Sequence, residues 1–132
     1  MKKSSAYARR QNASVGELSK KYLELIRLQD YAGAYRHMLR VNMQVPGRAS
    51  VLMDLGFSAL RAGLPEESYR HYRKAIEISG ASSVNTNIYD GLVEVCHALK
   101  NEDELRKYAA LALQSKRDQV AAEPLVAHID GD

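Results

Sequence analysis

The sequence predicts an all-α chain built as a solenoid of stacked helix–turn–helix hairpins, and three observations carry that reading. The tripeptide Tyr-Arg-His occurs at Tyr35-Arg36-His37 and again at Tyr69-Arg70-His71, 34 residues apart. The same offset pairs Leu18 with Leu52, Ile26 with Leu60 and Arg27 with Arg61. A fixed period of this size marks a stacked repeat, because a single unit cannot bury its apolar face alone. Apolar residues also recur at helical spacing through both copies. Composition agrees: no Trp, three Pro and eight Gly in 132 residues leave little of the punctuation an all-β architecture needs.

Residues 1–14 carry Lys2, Lys3, Arg9 and Arg10 with no acid and no helical periodicity, and read as a flexible basic leader. A first unit spans 15–48. Leu18, Tyr22, Leu25 and Ile26 line one helix, Gln29-Asp30 interrupts it, and Ala34, Tyr35, Met38, Leu39 and Val41 form a return stripe ending at Pro46-Gly47. A second unit spans 49–82, with Leu52, Leu55, Gly56, Ala59 and Leu60 on its first helix and Gly63 as the C-terminal cap. Pro65 with Glu66 and Glu67 then starts the return helix, the acids complementing its dipole. Ser68, Tyr69, Tyr72, Ala75, Ile76 and Ile78 follow, and Ser79-Gly80 closes it. After an insertion in Gly80–Asn85, a third unit spans 86–119, with Tyr89, Leu92, Cys96, Asp103, Ala112 and Leu113 in register. Residues 120–132 are left as a C-terminal segment, partly helical or disordered, in which Pro124 ends the last helix or begins a separate turn.

The run Leu52, Leu55-Gly56, Ala59, Gly63, Ser68, Tyr72 and Ala75 resembles the tetratricopeptide repeat (TPR) family, except that Gly80 stands where that pattern has Pro. In the first unit Leu18, Asp30-Tyr31, Ala34 and Pro46 fit, whereas Lys21-Tyr22 replaces Leu-Gly. In the third, Val93 replaces Gly and Leu105 the small residue. The resemblance covers residues 15–119 and implies a right-handed α-solenoid of TPR hairpins. Gly56, Ser68 and Ala75 then allow close helix approach, with Tyr72 as the wedge between helices. A bulky residue at 56 or 75 is expected to overpack that contact by roughly 1–3 kcal/mol.

Length fits one domain. The formal net charge of +3 is concentrated in the leader, which could touch nucleic acid or an acidic membrane surface. The repeats hold no Arg/Lys stripe interleaved with aromatics, which argues against nucleic acid as the partner. No stretch approaches the roughly 18–20 apolar residues of a membrane span, and no apolar run follows Met1-Lys2-Lys3 to make a signal peptide. The expected location is the cytoplasm. The single cysteine, Cys96, excludes an internal disulfide and a Cys-based metal framework.

No enzyme and no cofactor are expected. His37 and His71 share one repeat position, and His97 follows Cys96 directly, so neither pairing makes a ligand set or a nucleophile with its base. Glu102-Asp103-Glu104 suits a helix start and lacks the alternating ligands of a calcium loop. Phosphate loops and hydrolase motifs are absent from the sequence.

The resemblance implies a concave groove lined by the first helix of each repeat. In this chain that groove takes Leu23, Ile26 and Arg27 from the first repeat, Met53, Phe57, Leu60 and Arg61 from the second, and Asp90, Glu94 and His97 from the third. Relatives that grip a C-terminal carboxylate use Lys, Asn and Arg where this chain has Ser19, Leu23, Asp54, Asn87 and Gly91, so that mode is not expected. The function expected is a non-enzymatic adaptor or small chaperone holding a partner helix or peptide, with Met53 and Phe57 as anchors. Bacterial secretion chaperones are similar in size and groove character. The alternatives are a self-assembling structural unit, that is a homo-oligomer, and a regulatory module of an enzyme or transcription factor. A terminal segment around Tyr7 or Leu125-Val126 could also cover the groove.

Overall fold

The computed structural model describes residues 16–80 and 86–122. The leader over 1–14, residues 81–85 around the insertion and Pro124 lie outside them. Among the described residues there are six helices: α1 over 16–27, α2 (Tyr31–Gln44), α3 (Ala49–Arg61), α4 (Pro65–Ser79), α5 (Thr86–Ala98) and α6 (Glu102–Ala122). The fold is all-α. Within the second and third hairpins α3 packs on α4 and α5 on α6; between hairpins α2 packs on α3, α4 on α5, and α3 on α5. This pairwise pattern is a helical-repeat arrangement.

The three hairpins turn by one device. At the end of α1 the Asp30 N–H donates to Leu25 O at 2.9 Å and the Gln29 N–H to Ile26 O at 2.9 Å. After α3 the Leu64 N–H reaches Ala59 O at 2.8 Å and the Gly63 N–H reaches Leu60 O at 3.1 Å. After α5 the Asn101 N–H reaches Cys96 O at 2.9 Å and the Lys100 N–H reaches His97 O at 3.1 Å. Each pair is a Schellman closure, which satisfies two of the carbonyls a helix end leaves open. It requires a left-handed residue, supplied by Gln29 (φ 60°), Gly63 (φ 82°) and Lys100 (φ 59°). Only Gly63 takes that conformation without steric cost.

The return helices start differently. Asp30 caps α2 by accepting from the Gly33 N–H at 3.0 Å, and the Asn101 side chain accepts from the Glu104 N–H at 3.3 Å. Leu64, at the same place before α4, makes no side-chain cap; Pro65 and the first-turn acids Glu66 and Glu67 serve instead.

The core runs unbroken through the stack. Leu55, Leu92, Val95, Cys96, Ala59 and Ala75 are wholly buried, and Ile88 is 1% exposed. Burying each large aliphatic contributes about 1.5–3 kcal/mol. Ser68 is buried too, its hydroxyl donating to Gly56 O at 2.5 Å, so a polar group crosses from α4 to α3 at no unpaired cost. Beside it the Tyr72 ring closes the contact: a Cβ on Gly56 would stand 2.8 Å from ring carbons of Tyr72. Leu39 and Ile78, read from the sequence as part of the apolar stripes, are instead exposed at 37% and 41%. Leu39 follows the buried Met38 by one residue and Ile78 lies past the last buried residue of α4, Ala75, so both fall off the buried faces of their helices.

Candidate concave binding site

Helical spacing divides α3 into two faces. Leu52, Leu55, Ser58 and Ala59 point into the core, whereas Ser50, Met53, Asp54, Phe57, Leu60 and Arg61 share the other side. On α5, Ile88, Tyr89, Leu92, Val95 and Cys96 are buried, and Asn87, Asp90, Gly91 and Glu94 face the same way as the open side of α3. The two open faces bound a cleft of about 350 Å³, with Tyr22 of α1 and Tyr72 of α4 at its base. A second hollow of about 280 Å³ lies next to it, between α1, α2 and α3, and includes Leu18, Leu23, Val41 and Val51. Tyr22 and Asp54 line both.

The cleft joins six of the residues expected from the sequence: Met53, Phe57, Leu60, Arg61, Asp90 and Glu94. The other four lie apart. Leu23, 63% exposed, belongs to the second hollow, and it also flanks Arg27 on a separate surface depression. Ile26 packs against the core edge. His97 is exposed and is not among the cleft's lining residues. The lining residues not expected from the sequence are Tyr22 and Tyr72; Asp54, Asn87 and Gly91, groove positions under the family resemblance, line the cleft as well. Spacing along α3 and α5 agrees, placing these three on the open faces. Tyr72 comes from a return helix and reaches the cleft because Gly91 has no side chain: a Cβ there would stand 2.6 Å from Tyr72 Cζ.

Charges in the cleft are unequally matched. Arg61 lies over the Phe57 ring, 5.3 Å from its centroid, and its Nη2 is 3.4 Å from Glu94 Oε2. Phe57 also meets the Tyr31 ring edge-on at 6.3 Å. Asp90 Oδ1 is 3.4 Å from Lys116 Nζ on α6. Both ion pairs are solvated and contribute about 0–1 kcal/mol each. Asp54 forms no ion pair among the described residues, and burial pushes its carboxyl up to about 6. The Tyr72 hydroxyl is pushed up to about 12 by burial, then by Glu94 and Asp54, against Arg61.

The described residues include no group of three or more His, Cys, Asp or Glu that could hold a metal ion, and none of their helices is long and apolar enough to cross a membrane. Cys96 is fully buried, and burial raises its thiol pKa, which disfavours the reactive thiolate. No protein-family model matches the chain, and no curated protein matches it as a relative.

Proposed function

We propose that this chain is a tetratricopeptide-type, right-handed solenoid that works as a non-enzymatic adaptor or small cytoplasmic chaperone, holding a helix or extended peptide of a partner protein in its concave cleft. The observation that carries the reading is the cleft between α3 and α5, where the half-buried side chains of Met53, Phe57 and Leu60 stand open beside the charges of Arg61, Asp90 and Glu94. A flexible thioether and an aromatic ring flanked by charge suit an amphipathic segment, whose apolar side chains enter while its polar ones meet the rim. The Schellman turns and the Gly56–Tyr72 contact support the tetratricopeptide part of the reading, since they repeat or match the pattern of the second unit.

The test is capture from native extract by the wild-type protein and by a Met53→Asp, Phe57→Asp variant, after circular dichroism has shown equal helicity. A protein retained by the wild type and lost by the variant supports a groove-binding adaptor. Identical catches, or only copies of the chain itself, overturn it.

A further inference from the structure

The cleft has a chemical preference as well as a shape. Its lining carries three carboxylates, Asp54, Asp90 and Glu94, against one guanidinium, Arg61. Arg61 is engaged by Glu94 and by the Phe57 face, and Asp90 by Lys116. Asp54 is left with no opposite charge among the described residues, although it stands half-buried where the two hollows meet. Its position on α3 is one residue from Met53 and one turn from Phe57, so any segment seated on those two side chains passes over it.

We infer that the occupant of this cleft is a foreign peptide segment carrying a lysine or arginine among apolar side chains, and that the cation docks on Asp54. This rests on the proposed reading of the cleft as a binding surface. An occupant covers Asp54 and removes its remaining water. A purely apolar occupant then leaves a buried carboxylate uncompensated, and an acidic one adds repulsion from three carboxylates. A basic side chain offsets the desolvation and accepts the field of Asp90 and Glu94 as well. Arg61 does not supply that charge, because its own contacts draw it toward α5 and Phe57.

The experiment is selection of binders from a random peptide display library against the full chain, in parallel with the Asp54→Asn and Met53→Asp, Phe57→Asp variants. The expected result is a population lost on the Met53/Phe57 variant and enriched in one Lys or Arg between apolar residues. Replacing that Lys or Arg by norleucine should weaken binding tenfold or more to the wild type, and less than twofold to Asp54→Asn. Cleft binders without a basic position, or with a basic position indifferent to Asp54→Asn, overturn the inference and leave the adaptor reading standing. Binders indifferent to Met53 and Phe57, or no binders at all, overturn both. Binders that appear only once Lys2, Lys3, Arg9 and Arg10 are replaced by Ser assign the cleft to the chain's own leader, and also overturn the inference.

Discussion

The Tyr35 hydroxyl lies 3.0 Å from His71 Nε2, and the two rings meet edge-on with centroids 5.6 Å apart. The contact joins the return helices α2 and α4, and it is repeated one unit along. Tyr69, the counterpart of Tyr35, hydrogen-bonds Glu104 on α6, and Arg73 Nη1 links its hydroxyl (3.4 Å) to that of Tyr108 (2.8 Å). Tyr108 occupies in the third unit the place His71 holds in the second. The echoed tripeptide thus marks the rung between successive hairpins.

Because His71 is neutralised by burial, its imidazole pKa lies below the ordinary 6.5. The folded state therefore disfavours the proton: the stability this residue contributes is present above the unfolded value and lost as pH falls through the folded one. Urea unfolding between pH 7.5 and 5.5 should show that loss in the wild type and less of it in His71→Gln. At pH 7.5, Tyr35→Phe should cost about 1 kcal/mol, the net contribution of one partly buried hydrogen bond. Equal slopes with pH for wild type and His71→Gln would remove the assignment.

Tyr72 is held between two glycines, Gly56 on α3 and Gly91 on α5, each too close for a Cβ. Alanine at either site gains about 1 kcal/mol of helix propensity and meets overpacking of about 1–3 kcal/mol. The second effect should win, lowering stability by up to about 2 kcal/mol in chemical denaturation. The same Gly56→Ala change made with Tyr72→Leu should cost less than the sum of the single changes. Strict additivity would show that the ring is not what excludes the methyl.

How far such contacts could be foreseen depended on the residue. Gly63-Leu64-Pro65 announces the turn between α3 and α4, because glycine and proline carry local backbone preferences. Gln29 and Lys100 adopt the same left-handed state without any such mark, since the closure of the hairpin imposes it. Met53, Phe57, Leu60 and Arg61 were legible as one groove face through the resemblance to the tetratricopeptide pattern, with which helical spacing along α3 agrees. Leu23 and Ile26 were not separable from them, because spacing says nothing of where α1 sits against α3. Gly91 was legible as a groove position but its smallness was not explained, for the same reason: it answers to Tyr72, a residue on another helix and in another unit.

The turns offer a constructive check. Lys100→Gly and Gln29→Gly relieve a left-handed conformation that costs a side-chain residue roughly 1 kcal/mol, and neither position is inside a helix. Each should raise the urea midpoint by the equivalent of about 0.5–1 kcal/mol. Leu64→Asp supplies α4 with the cap that Asp30 and Asn101 already provide elsewhere, for about 1 kcal/mol. Gly63→Lys is the converse and should destabilise by a similar amount.

Asp54 sets stability against binding. Its carboxyl is raised from the ordinary 3.8 to about 6 by burial, so the folded state favours the protonated form. That contribution is full below the unfolded pKa and is lost as pH rises through about 6, leaving a half-buried carboxylate that works against the fold at neutral pH. Asp54→Asn removes the charge and keeps the shape. With a discount for the solvent that still reaches the side chain, it should stabilise the free protein at pH 7 by on the order of 1 kcal/mol and by nothing at pH 3.5. The slope is opposite in sign to that of His71, so the difference between variant and wild type, rather than the raw profile, is the quantity to measure by urea unfolding. A residue that lowers stability yet lines an open cleft fits a site kept for its ligand. If Asp54→Asn is no more stable than wild type at pH 7, the carboxylate is better solvated than its half-buried place in the cleft implies, and its role as the cleft's unmet charge fails with it.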